Sequence, residues 1–283
     1  MLLRVGFTFV IESGSPTPVT AVVRPREFDL HRLVQERRVT SPDLRIHYYR
    51  DGFDNYVWRW ITPQGTMEMS YDAVVEVPTT PDPVLQGLPG TFVDQLPDEV
   101  LTYTLPSRYC PSDLVLNDAW AMFGDTPDGW DRVQAICNWA HTNVAYGSGY
   151  STAATSGYDA YQNRMGVCRD FAHVGVMFCR AMNIPARYVC GYLPDIGVPI
   201  NPAPMDFHAW FEAYIAGAWR SFDARHNIPR IGRVVIARGR DAVDTAILTS
   251  YGDSQLTGLA VWADELHDIR HFDVPSWVRE AKE

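Results

Sequence analysis

The N-terminus alternates. Leu3, Val5, Phe7, Phe9 and Ile11 share one parity, while Arg4, Thr8 and Glu12 take the other. A period of two predicts an edge or half-buried strand rather than the unbroken apolar run of a secretory leader. Asn55 to Ile61 is aromatic and β-branched, Pro63-Gln64-Gly65 is a turn signal, and Met67 to Val77 alternates again. Two such runs around a short turn predict a β-hairpin. Residues 1 to about 80 therefore read as β structure, ending at Pro78-Thr79-Thr80-Pro81-Asp82-Pro83, which reads as a linker.

Beyond the linker the period changes. Ser112 is the expected N-cap of a helix through Trp120, and Thr126-Pro127 opens another. In that second helix Trp130, Val133, Ile136, Cys137 and Ala140 fall on one face, so Cys137 reads as core. Tyr146 to Gly166 has loop composition, rich in Gly, Ser, Thr and Tyr, and a loop this long in a compact domain is often functional. A helix opens at or near Cys168, with Phe171, Gly175, Phe178 and Met182 on the same face, and Asn183 and Pro185 stop it. Arg187–Tyr192, His208–Ile215 and Trp219–Asp223 read as strands, the last two joined by a tight turn at Ala216-Gly217.

Composition narrows the function classes. With 283 residues, 46% of them hydrophobic, the chain can bury one large or two ordinary cores. A formal net charge of -10 argues against a nucleic-acid partner, whose phosphates it would repel. No stretch is long and apolar enough to span a bilayer, so no membrane role is expected and a cytoplasmic location is. The five cysteines, Cys110, Cys137, Cys168, Cys179 and Cys190, form neither a disulfide framework nor a CxxC knuckle. No metal or cofactor is expected, and a zinc site from Cys168, His173, His208 and Asp223 matches no ligand spacing.

One thiol stands apart. Cys168 lies where a loop meets a helix N-terminus, a position that favours a thiolate and offers free N–H groups to an oxyanion, and Gly166 allows close backbone approach. Its base must come from elsewhere. If the turn is two residues, Ile215 pairs with Ala218, and counting back sets Trp210 opposite Asp223. His208, Trp210 and Asp223 then share a face, with Asp223 diagonal to His208 at roughly 7–8 Å along the backbone. A carboxylate there can hold the imidazole's tautomer and stabilise its cation. A three-residue turn would move Asp223 to the other face. His173, five residues after Cys168, and His226, after the acid, read as structural or exposed. Asp170 reads as a first-turn acid and Arg169 as solvated surface.

Four segments carry a family resemblance. Gly166-Val167-Cys168-Arg169-Asp170-Phe171-Ala172-His173 resembles the nucleophile motif of bacterial transglutaminase-like proteins. Ile184 to Tyr192 looks like the strand that follows, Phe207-His208-Ala209-Trp210-Phe211-Glu212 like the histidine motif, and Trp219 to Asn227 like the acid motif, all in the family's order. The resemblance is specific from about Tyr146 to Asn227 and weaker over the N-terminal β region. Asp223-Ala224-Arg225 stands where many relatives have Asp-Pro-Thr. The resemblance implies an α+β, papain-like transglutaminase core, with the nucleophile helix packed on an antiparallel sheet. A small all-β domain would precede it: residues 1–99 with the linker, then 100–283 as the catalytic domain. It also implies a Cys168–His208–Asp223 triad acting on a peptide or protein amide through a thioester.

The expected function is thus a cysteine-dependent amide hydrolase or protease. A transglutaminase passing the acyl group to an amine is the close alternative. A non-catalytic binding module and an arylamine acetyltransferase are further ones, and a coenzyme A requirement would mark the last. No acidic cluster has calcium-site spacing. Tyr146, Tyr150, Tyr158 and Gln162 are the candidates for a second oxyanion donor, and the oligomeric state is left open.

Overall fold

The computed structural model describes residues 1–27 and 31–267. Six strands come first: β1 (Leu2–Ser13), β2 (Thr17–Ala21), β3 (Arg32–Ser41), β4 (His47–Arg50), β5 (Tyr56–Thr62) and β6 (Gly65–Glu76). The helical turn α1 (Asp98–Leu101) precedes α2 (Leu116–Phe123) and α3 (Trp130–Asn143). Then come β7 (Ala145–Tyr146), α4 (Gly157–Asn163), β8 (Met165–Gly166) and α5 (Cys168–Ala181). β9 (Ala186–Tyr192), β10 (His208–Ile215), β11 (Ala218–Phe222), β12 (Val234–Gly239), β13 (Leu248–Ser250) and β14 (Ser254–Leu266) follow.

Two four-stranded antiparallel sheets, ordered β14-β1-β6-β3 and β13-β2-β5-β4, pack face to face. Trp58 of one sheet meets Phe7 and Tyr71 of the other, at 6.4 and 5.4 Å between ring centroids. The expected hairpin is not formed: β5 pairs with β2 and β4, and β6 with β1 and β3. Pro63 and Gln64, with Gly65 at φ +96°, carry the chain across from one sheet to the other. Both runs have an apolar face, and packing those faces together buries more than pairing the strand edges would. β1 is not an edge strand either. It lies between β6 and β14, and Gly6 and Thr8 of its other parity are buried too.

The third sheet, β11-β10-β9-β12, is antiparallel throughout, and α5 packs on it. Every residue of α5 from Asp170 to Ala181 is buried. Gly175 is required at the contact, because a Cβ there would lie 2.4 Å from the Phe211 ring. The β10–β11 turn is Ala216-Gly217, with φ +49° and +75° and Ile215 opposite Ala218, the two-residue turn the sequence implied. The helix-bearing α+β core on an antiparallel sheet is as expected.

Three local readings change. Ser112 lies in a 3₁₀ turn and α2 starts only at Leu116, while α3 starts at Trp130 rather than beside Pro127. The Tyr146–Gly166 loop contains α4, closed by a capping box in which Ser156 Oγ accepts from Asp159 N–H at 3.2 Å and Asp159 accepts from Ser156 N–H at 2.8 Å. The division at residue 99 does not follow the strand pairing, because β13 and β14 belong to the N-terminal sheets. One apolar core runs from Leu3, Phe7 and Trp58 into Tyr192, Phe207 and Val234. Among the described residues no helix is long and apolar enough to cross a membrane.

Candidate active site

Cys168 is the first residue of α5. The Asp170 carboxylate reaches back to accept from Val167 N–H at 2.8 Å and also takes the Ser151 hydroxyl at 3.1 Å. A Cβ on Gly166 would come within 2.6 Å of the Asp170 side chain, so the glycine before the thiol makes room for this cap. Arg169 is not a solvated surface residue: it donates to Ser151 Oγ at 2.7 Å and Thr152 O at 2.6 Å, tying the preceding loop to the helix start.

The Cys168 thiol lies 4.0 Å from Phe207 O and interacts with the Ala209 backbone, so the residues on either side of His208 approach it. Phe207 packs on Phe7 at 6.0 Å, which braces this strand end against the N-terminal sheet. His208 is buried, and its Nε2 is 2.8 Å from Asp223 Oδ2. Both lie on the face that the two-residue turn assigned them, beside Trp210, whose ring is stacked 6.2 Å from the imidazole.

Asp223 holds more donors than one imidazole. Oδ2 also accepts from His226 Nδ1 at 3.1 Å and from both Arg233 Nη atoms at 3.3 Å, and Oδ1 accepts from the N–H groups of Arg225 and His226 at 3.1 Å each. Burial works to raise the Asp223 pKa, but the His208, His226 and Arg233 contacts hold it well below the usual range. An ionised carboxylate has only lone pairs, so the proton of the His208–Asp223 bond sits on Nε2 and Nδ1 is left as the basic atom.

Behind the acid, Arg233 Nε donates to Asp82 Oδ2 at 2.8 Å, and that carboxylate also takes Arg230 N–H at 3.0 Å. The Pro-rich segment is therefore anchored through Asp82 rather than a free spacer. A cavity of about 50 Å³ lies on this side, lined by Asp82, Trp130, Asp223 and Arg233 among others, with neither Cys168 nor His208 on its wall.

The expected thiolate is not favoured at rest. Burial pushes the Cys168 thiol up to about 11, against the lowering effects of Ala209 N–H and Arg225. Burial likewise takes His208 down to about 4, with Asp223 opposing. The resting groups are a thiol and a neutral imidazole. Cys168 still differs from the other four cysteines, which are fully enclosed while it is partly exposed. Burial raises their thiols further, Cys110 to about 12.

Other candidates sort clearly. Tyr146 pairs with Gly166 across β7 and β8, which brings it beside the approach to Cys168, and it carries the Arg225 guanidinium over its ring at 3.8 Å. Tyr150 is exposed, Tyr158 packs on the helical core and Gln162 is exposed. His173 is buried between Tyr109 and Tyr188, with Nε2 accepting from Ala242 N–H at 3.2 Å, a structural role. His226 is not merely structural or exposed, since it shares the acid. The ligand atoms of His208, Asp223 and His226 lie within 4.8 Å of one another. A metal ion there would have to displace both imidazole hydrogen bonds beside the fixed Arg233 cation.

The sequence alone did not bring His226, Arg233 or Asp82 to the site, and it offered Tyr146 only as one of four oxyanion-donor candidates. Arg233 had a signal: a charge abutting the apolar run Val234-Val235-Ile236-Ala237 must be buried with a partner.

Comparison with known proteins supplies the kinship. A family model described as the transglutaminase-like superfamily matches residues 120–224, a span that contains Cys168, His208 and Asp223. The crystal structure of a candidate cysteine protease from Cytophaga hutchinsonii superimposes with a TM-score of 0.85 at 33% identity, over 95% of this chain and 91% of that one. The chain belongs to the transglutaminase-like superfamily. An uncharacterised protein of Mycobacterium leprae is 27% identical over 81% of this chain and 84% of its own length. An uncharacterised Mycobacterium tuberculosis protein is 25% identical over 69% of this chain and 68% of its own length. In this transglutaminase-like chain the α5 N-terminus and the ends of β10 and β11 carry the candidate residues.

Proposed function

We propose that the protein is a cysteine-dependent amide hydrolase that works through a thioester, with Cys168 as nucleophile, His208 as base and Asp223 as the acid that orients it. The observation that carries this reading is the buried 2.8 Å His208–Asp223 bond at the strand end that flanks the partly exposed thiol. His208 Nδ1 takes the thiol proton as sulfur bonds to the amide carbonyl carbon. The resulting oxyanion faces N–H groups of the first α5 turn, which have no partner within the helix. The C–N bond breaks, the imidazolium gives its proton to the leaving amine, and a thioester remains. Water then attacks, His208 takes its proton, the C–S bond breaks, the thiol is restored and a carboxylic acid leaves. An amine in place of water gives acyl transfer by the same route. The hydrolytic reading is preferred because the Cytophaga relative is named a candidate cysteine protease.

The test is to trap Cys168 with an electrophilic peptide amide analogue and read the adduct by mass spectrometry. Turnover of a peptide amide is then followed with and without added primary amine. Adduct on Cys168 with carboxylic acid as product is the expected outcome. Amide product that dominates at millimolar amine would convert the assignment to transglutaminase. No adduct on Cys168 under conditions that modify a free thiol would leave a binding module.

A further inference from the structure

Two of the arginines that flank the candidate triad have oxygen partners. Arg169 is held by Ser151 and Thr152, and Arg233 bridges Asp82 and Asp223. The guanidinium of Arg225, among the described residues, has no carboxylate within ion-pair distance. It rests half-buried on the Tyr146 ring, 3.8 Å from its centroid. Its backbone is fixed at both ends: N–H donates to Asp223 Oδ1 at 3.1 Å, and the carbonyl lies 2.8 Å from His141 Nδ1. Tyr146 is fixed in turn by its pairing with Gly166, two residues before the thiol. A cation is thus built into the wall between the acid's loop and the nucleophile's loop.

An unpaired guanidinium kept partly from water, stacked on an aromatic face and presenting its fork, is a carboxylate receptor. The nearby acids have other partners: Asp223 is committed to His208, His226 and Arg233, and Asp206 accepts from Phe207 N–H at 2.7 Å. Burial raises the Cys168 thiol most, and Arg225 acts on it as a lowering influence against Asp206 and Asp223, which raise it.

We infer that Arg225 is the specificity residue of this site and that the substrate is an amide bearing a carboxylate, which the guanidinium binds as the carbonyl reaches Cys168. This rests on the acyl-transfer reading above. Two other roles are distinguishable from it. Arg225 as a pillar for Tyr146 would not discriminate between neutral and anionic reagents. Arg225 as a thiolate stabiliser would speed both alike.

The experiment compares alkylation of Cys168 by iodoacetate and by iodoacetamide, two reagents that differ in one negative charge. Rates are normalised to a free thiol in the same buffer. In the unaltered protein the normalised iodoacetate-to-iodoacetamide ratio should be about tenfold above one and should fall as salt rises, because the cation is only half-buried. Arg225→Met should bring the ratio to one, and Arg225→Lys should leave it intermediate. A matched pair of peptide amides ending in a carboxylate or a carboxamide should show the same order in kcat/KM. A ratio unchanged in Arg225→Met overturns this proposal alone. A Cys168 that resists both reagents overturns the acyl-transfer reading and this proposal with it.

Discussion

Asp223 orders more than one side chain. Its two oxygens fix the His208 tautomer, pin the backbone of residues 225 and 226, and hold a second imidazole whose ring is 4.8 Å from the first. Asp223→Asn should keep the fold, since an amide oxygen can still accept. It should lower kcat on the order of 10³–10⁴-fold, because an amide can favour the wrong tautomer and cannot stabilise the imidazolium. His226→Gln, which removes one of several donors, should cost about tenfold at most. An Asp223→Asn protein within a few-fold of normal turnover would remove the acid from the mechanism. The pH profile follows from the same groups. His208 is down to about 4, so the base is lost only as pH falls through that value, and Cys168 up to about 11 sets the upper limb. The log of kcat/KM should be flat across neutrality, and an acid limb near the ordinary imidazole value would contradict a neutral, buried His208.

Helix α5 does two things at once: its first residue presents the thiol, and its body is core. His173, one turn in, shows how tightly the second role is met. Its ring lies 5.2 Å from Tyr109 and 5.0 Å from Tyr188, and burial holds its pKa well below the usual histidine value. The unfolded chain takes up that proton below about pH 6.5 and the folded one does not. Stability from His173 is therefore complete above that pH and lost as pH falls. His173→Phe keeps the stacking and removes the titration. It should cost about 1–3 kcal/mol at neutral pH through the orphaned Ala242 N–H. It should also flatten the acid slope of stability by about 1.4 kcal/mol per pH unit. Urea midpoints measured from pH 8 to pH 5 check both, and an unchanged slope would mean that His173 is charged in the folded protein.

At the scale of the molecule, one apolar core joins the N-terminal sheets to the sheet of β9, β10 and β12. β14 completes the sheet of β1, and Phe7 of β1 supports Phe207 next to His208. A chain ending at residue 247 loses β13 and β14. It would leave β1 as a long apolar edge strand, a template for pairing with other copies. Such a truncation should be aggregation-prone and should lose Cys168 reactivity. A soluble, monomeric truncation with full reactivity would show that the two sheets merely accompany the core.

Periodicity and short-range geometry were enough for much of this. The helix that starts at Cys168, the two-residue turn at Ala216-Gly217 and the shared face of His208 and Asp223 all follow from the chain itself, because helix starts and hairpin register depend on neighbours a few residues away. Long-range pairing was not legible. Nothing local in β5 and β6 says that they face each other instead of pairing, and nothing in β1 names β14 as its neighbour some 250 residues on. The pKa directions also needed the fold. A helix N-terminus favours a thiolate in isolation, but burial outweighs it at Cys168, and burial depends on what the rest of the chain packs above the site. Arg233, Asp82, His226 and the Arg225–Tyr146 stack came from tertiary structure for the same reason. A charged side chain shows its partner only when distant segments are brought together, and a sequence fixes local backbone preferences far more tightly than the company each side chain keeps.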